Sequence, residues 1–224
     1  MKVPRKQEEF KKILAHLEDM FRISLPGMEG QLPMAPLPLE EERFAIKEQI
    51  STRKGAVLFL LYPDGDNCLL PFIKRPIYEG VHSGQISLPG GKFENGDADL
   101  QATALRETGE ELGVNADDIL VLGGLSKLYI PPSNFTVYPY LGYVSYTPEF
   151  APDPREVDRL IIGDFKRLVN KAVRKKKEIE LANGQVIQAP YFDIQGEVVW
   201  GATAMMLSEL IFLWEKHVAG TVKL

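Results

Sequence analysis

A single cysteine, Cys68, stands in this chain of 224 residues, so no disulfide can close within it, and a reducing compartment suits it. Nowhere do 18 apolar residues run together, and the opening MKVPRKQEEFKKILAHLEDMF holds no apolar run of signal-peptide length. These absences lead us to expect a soluble, cytoplasmic protein with no membrane partner. A basic surplus is missing too. Against 26 Lys and Arg stand 31 Asp and Glu, and a net charge of −5 argues against a general nucleic-acid binder. An anionic substrate must then be drawn by a metal and by local cations. No internal repeat appears. The rest of the composition, 45% hydrophobic and 25% charged, is that of a compact enzyme able to bury a substantial core.

The most informative stretch is 90–114, GGKFENGDADLQATALRETGEELGV. Wound as a helix at about 3.6 residues per turn, its end places Glu107, Glu110 and Glu111 at i, i+3 and i+4 on one face. Like charges so spaced repel by roughly 0.2–0.5 kcal/mol per exposed pair, so something positive is expected in front of them. Carboxylate oxygens suit Mg²⁺ or Mn²⁺, which bind substrate phosphates alongside one or two protein carboxylates. Gly113 fits the left-handed position just past a helix end, and Pro89-Gly90-Gly91 can turn tightly with backbone carbonyls near the metal face. The competing reading is a solvated acidic helix after a glycine turn. It requires the glycines, the arginine and three glutamates to coincide by chance.

This stretch resembles the Nudix box, G-x5-E-x7-R-E-U-x-E-E-x-G-U with U aliphatic. Counted from Gly91, the first acidic position falls on Asp97, eight residues rather than seven separate it from Arg106, and Thr108 takes an aliphatic position. The resemblance implies an α/β fold, a Nudix-type α/β/α sandwich with a mixed sheet. It also implies Glu107, Glu110 and Glu111 as metal-facing glutamates, Arg106 orienting Glu107, and a Gly90 carbonyl in the metal shell. Upstream, Arg75, Gly84 and Pro89-Gly90-Gly91 are similar in register to the motif of the coenzyme A pyrophosphatase branch. Pro76, Gly80 and Leu88 depart from it, and Gly80 removes an arginine able to grip a phosphate bidentately. The segments 133–140 and 200–204 also resemble that branch.

Along the chain, Phe10, Ile13, Leu14, Leu17, Met20 and Phe21 repeat at helical spacing, and 25–39 holds Pro26, Pro33, Pro36 and Pro38 as a linker or wrapping arm. Residues 1–50 thus read as an N-terminal helical extension and 51–224 as the hydrolase domain. The extension has its place either on the same subunit or across a homodimer. A hairpin follows, strand 56–62, turn 63–67 and strand 68–74, with Cys68 as a core residue. Further strands are expected over 121–130, 137–146, near 179–181, 186–191 and 198–200, with helices over 161–169 and 202–216.

The chemistry that follows is hydrolysis of a diphosphate, with water activated by a metal or a glutamate. Glu107, Glu110 or a residue outside the box takes the proton; Glu156, with Val157, resembles a glutamate-valine pair of the branch and reads equally as a catalytic carboxylate or as a cap or surface carboxylate at a helix start. Arg75, Lys74 and His82 are candidates for substrate phosphate, against strand-end charges and a loop-orienting imidazole as alternatives. The run Arg174-Lys175-Lys176-Lys177 reads as a 3′-phosphate attractor or a solvated face. Tyr129, Phe135, Tyr138 and Tyr140 offer a stacking face for adenine or core packing, and Trp200 and Trp214 read as packing. The leading expectation is cleavage of coenzyme A or acyl-coenzyme A to 3′,5′-ADP and the (acyl-)4′-phosphopantetheine. The alternatives are a general nucleoside diphosphate-X hydrolase and a catalytically silent nucleotide-binding module.

Overall fold

The computed structural model describes residues 7–37, 51–78, 82–181 and 184–221. In chain order come α1 (Glu8–Met20), α2 (Met28–Gln31), β1 (Arg53–Asp64), β2 (Asn67–Lys74), β3 (Ile86–Ser87), β4 (Gly90–Lys92) and α3 (Leu100–Leu112). Then follow β5 (Leu120–Gly124), β6 (Leu128–Ile130), β7 (Phe135–Tyr143), β8 (Arg159–Asp164), α4 (Phe165–Leu168), β9 (Arg174–Glu180), β10 (Val186–Ile194), β11 (Glu197–Trp200) and α5 (Gly201–Thr221).

The long strand β1 organises the mixed sheet. It runs parallel to β7 and antiparallel to β4, and beyond Leu61 its end turns back into β2. Strand β2 pairs antiparallel with β8 and β3, while β5 and β6 add antiparallel to β7. Successive strand side chains face opposite ways. Ala56, Leu58, Leu60 and Tyr62 accordingly meet Ala104 and Leu112 of α3, whereas Phe59 and Leu61 join the core built by α1 and α5. The result is an α/β/α sandwich with α3 on one face of the sheet. Strands β9, β10 and β11 form a second, antiparallel sheet that sends Phe192, Ile194 and Val199 into the α5 core.

The apolar stripe of α1 is buried as expected, through Phe10, Ile13, Leu14, Leu17 and Met20. The proline-containing arm also packs on its own chain. Helix α2 lies on α5, and Leu37 exchanges backbone hydrogen bonds with Gln188 of β10. Pro38 and Leu39 lie outside the described residues.

Three sequence expectations need correction. The stretch 121–130 is two strands, β5 and β6, broken at 125–127, where the Ser126 N–H donates to Glu209 and its carbonyl accepts from Gln31 instead of pairing with β7. The stretch 161–169 is strand first: Ile161 and Gly163 alternate inward along β2, and Asp164 then caps one short turn of helix through the Lys166 N–H. The strand expected near 179–181 begins at Arg174, so the basic run lies in β9, at the edge of its sheet. Lysines there discourage pairing with another chain.

Candidate active site

Helix α3 starts six residues before Arg106. Asp99 caps it by accepting from the Ala102 N–H at 2.8 Å, and Gly113 closes it at φ 72°. Thr108, standing at an aliphatic position of the motif, is fully buried and donates its hydroxyl to the Ala104 carbonyl at 2.7 Å. The polar atom is satisfied, and the methyl is left to pack.

The glycines bring a strand against this helix at close range. The Gly90 N–H donates to Glu111 Oε2 at 2.8 Å, and a Cβ on Gly91 would fall 2.4 Å from the Glu107 carboxylate. Gly90 has φ 145°, and a Cβ there would lie 2.3 Å from the Ala56 carbonyl oxygen. Only glycine fits position 90, against backbone, whereas at position 91 a side chain would displace the end of Glu107.

Arg106 holds the outer rim. Its guanidinium donates to both oxygens of Asp97, at 2.8 and 3.1 Å, and to the Lys92 carbonyl at 3.1 Å. It also pairs with Glu107 and with Glu110, each at 3.0 Å. Asp97 is presented by a tight turn with Glu94 and accepts from the Thr103 hydroxyl at 2.8 Å, which lets the short side chain reach Arg106 across the extra residue. The Arg106 fork holds the Asp97 carboxyl well below its usual range.

Behind this rim the carboxylates are costly to ionise. Burial pushes Glu111, only 2% exposed, up to about 8, opposed by the Gly90 N–H and the Arg75 charge and reinforced by Glu107 and Glu156. Burial likewise raises Glu107, against the pull of Arg106, with Glu110 and Glu156 adding to the rise. Glu110 is the outermost, 58% exposed along its side chain. Arg75, Glu107, Glu110, Glu111 and Glu156 thus share one electrostatic neighbourhood. Glu156 stands in a turn before β8, not at a helix start, with Val157 anchored beside it in the core.

Two candidates are engaged with other side chains. Lys74 reaches Glu197 of β11 at 3.6 Å, and His82 Nδ1 lies 3.1 Å from Gln85 Oε1 in the loop. The aromatics divide as well. Tyr138 and Tyr140 pack on the α3 side of β7, while Phe135 packs on the opposite core under Arg53 and Tyr129 donates to Asn134. Trp214 packs edge-on against Phe165 as expected, but Trp200 lines a cavity. In the basic run, Arg174 pairs with Glu215 and Lys175 with Asp193. Gly80 lies outside the described residues. A further carboxylate escaped the sequence reading: Glu209 of α5, fully buried, accepts from the Gly27 N–H, Gln31 Nε2 and the Ser126 N–H. Only its place in an apolar helix marks it in the sequence.

Residues 52–182 match the NUDIX domain family. The chain belongs to the Nudix hydrolase family. It is 31% identical over 207 residues to Nudix hydrolase 22, chloroplastic, of Arabidopsis thaliana, a match covering 89% of this chain and 64% of that protein. With Nudix hydrolase 3 of Caenorhabditis elegans it shares 35% over 131 residues, 58% of this chain and 51% of that one. An uncharacterised Nudix hydrolase NudL of Yersinia pestis is 30% identical over 162 residues, covering 71% of this chain and 79% of its own. The chain thus spans about half to two thirds of the first two relatives. Among solved structures, that of a C. elegans Ap4A hydrolase binary complex aligns with a TM-score of 0.49 at 13% identity, over 75% of this chain and 98% of its own. Among the described residues no helix of this Nudix chain is long and apolar enough to cross a membrane.

Proposed function

We propose that this Nudix protein hydrolyses the diphosphate linkage of a nucleoside diphosphate derivative, with coenzyme A or acyl-coenzyme A as substrate and a divalent metal, Mg²⁺ or Mn²⁺, as cofactor. The products are 3′,5′-ADP and 4′-phosphopantetheine or its acylated form. The observation that carries this reading is the gathering of Glu107 and Glu111 within reach of Glu156 and Arg75, where burial and neighbouring negative charge disfavour ionisation of Glu107 and Glu111. A hard cation relieves that repulsion.

Glu107, Glu110 and Glu111, with the Gly90 carbonyl, are the proposed ligands. Among the described residues no three His, Cys, Asp or Glu side chains stand together so as to hold a metal ion. A wall of carboxylates fits a metal whose remaining positions go to phosphate oxygens and water. Once bound, the cation neutralises diphosphate charge and makes a water molecule more acidic. The protein's own part is to hold the carboxylates through Arg106 and the Gly90 N–H, to counter phosphate charge with Arg75, and to take the proton. Glu156 suits the last role, since it is exposed yet electrostatically coupled to both buried glutamates. Lys74 and His82 enter as secondary substrate contacts, Lys74 upon release from Glu197.

The coenzyme A assignment rests on the register of Arg75, Gly84 and Pro89-Gly90-Gly91. Gly80, where the branch often has arginine, favours as second reading a hydrolase of ADP-ribose, nucleotide sugars, NADH or dinucleoside polyphosphates. Mass spectrometry of products from a panel of these compounds, with Mg²⁺ or Mn²⁺, separates the two. Release of 4′-phosphopantetheine supports the first, and faster cleavage of another diphosphate selects the second. Tight nucleotide binding without turnover of any compound points to a silent module.

A further inference from the structure

A cavity of about 370 Å³ lies at the seam between the two sheets, and no residue of the box lines it. That volume falls within the ~300–1,000 Å³ usual for small-molecule sites. Ile86, Ile179, Val198 and Trp200 supply apolar walls, and Gln85 adds an amide. Its charge does not favour an anion. Lys177 stands against Glu178 and Glu180, while Glu197 is held by Lys74 and Arg159.

The cavity is joined to the carboxylate wall by a short piece of chain. Gln85 lends its carbonyl to the Arg75 N–H at 3.0 Å, and Arg75 in turn lies within electrostatic reach of Glu111. Ile86 belongs to β3, four residues before Gly90, whose N–H holds Glu111. One segment therefore walls the cavity and carries the metal face. The Arg75 backbone thus adjoins Gln85, which lines the cavity.

We propose that this cavity binds the arm attached to one phosphate of the substrate, and that the arm it takes is neutral, flexible and partly apolar, an amide chain of the pantetheine kind. The assignment deepens the diphosphatase reading and rests on it. Trp200 offers a flat apolar face with one N–H donor, while the Gln85 amide oxygen is already engaged with His82 Nδ1 at 3.1 Å. A second anionic group has one lysine to meet and two glutamates to avoid.

Pantetheine, which has the arm but no diphosphate, tests the cavity apart from the chemistry. Titrated into the full chain, it is expected to change tryptophan fluorescence saturably, with Trp200 as reporter. In Val198→Arg and in the milder Ile179→Gln the affinity should fall by about tenfold or more, the usual scale for lost pocket contacts. Both variants should unfold thermally near the wild type. The ratio of KM for coenzyme A to KM for ADP-ribose should rise by a similar factor. Absence of saturable pantetheine binding to the wild type, or an unchanged KM ratio in both variants, overturns the cavity assignment. Pantetheine binding by a wild type that cleaves no diphosphate overturns the functional reading instead and leaves the cavity as an arm-binding site.

Discussion

Two buried glutamates, Glu111 and Glu209, have opposite surroundings. Glu209 is fully buried on α5 and receives three hydrogen bonds, from Gly27, Gln31 and Ser126, tying arm, helix and the β5–β6 connection together. Glu111 is almost as buried, but it receives one backbone N–H and faces the charges of Glu107 and Glu156. A buried carboxylate must be paired or well hydrogen-bonded to remain ionised. Glu209 finds its donors within the chain. Glu111 has one such donor and two like charges facing it, and that contrast supports the proposal that its partner is a metal.

The sharpest way to break the comparison is to remove each charge. Glu111→Gln should lower kcat by about 10²–10⁴-fold, the range for loss of a group acting on proton transfer or developing charge. Full turnover by that variant with either metal would end the assignment of Glu111. The next effect belongs to Gly91→Ala. Its methyl would press on the Glu107 carboxylate, and a displacement of about 1 Å can cost about 10² in rate. Circular dichroism should show the fold retained, and wild-type rates would mean that Glu107 has no fixed task. Glu209→Gln should behave differently: a loss of about 1–3 kcal/mol of stability from mismatched buried donors, with turnover retained below the melting transition. A drop in kcat with unchanged thermal stability would place Glu209 on the catalytic side instead.

These two sites were also unequally legible in the sequence. The Glu111 site is local: helical spacing places Glu107, Glu110 and Glu111 together, and Gly91, 16 residues before Glu107, and Gly90, 21 before Glu111, bring the strand close. The Glu209 site unites positions 27, 31, 126 and 209, and no periodicity links segments so far apart. Short apolar runs were the other weak point. The run at 161–169 carries both periods until pairing with β2 decides for strand, as such runs generally do only in context. Lys74 looked free at a strand end, and its partner, Glu197, comes from the second sheet.

The same contrast can be read through pH in metal-free protein. The Glu111 carboxyl titrates at an ordinary value near 4.5 when unfolded and at about 8 when folded, so between those limits the folded state keeps a proton that the unfolded chain releases. Stability must then fall as pH rises from about 4.5 to about 8, by up to about 1.4 kcal/mol per pH unit, and level off above. Glu107, also raised by burial, acts in the same direction. Asp97, depressed by Arg106, acts oppositely, but its contribution is lost only as pH falls below the usual carboxylate range, outside this window. Thermal melts with EDTA between pH 5 and 8 should show the decline, Mg²⁺ or Mn²⁺ should flatten it by pairing with the ionised form, and Glu111→Gln should reduce it. Parallel curves for wild type and Glu111→Gln would mean that Glu111 is as well satisfied as Glu209, and the electrostatic argument for a metal at this wall would lose its footing.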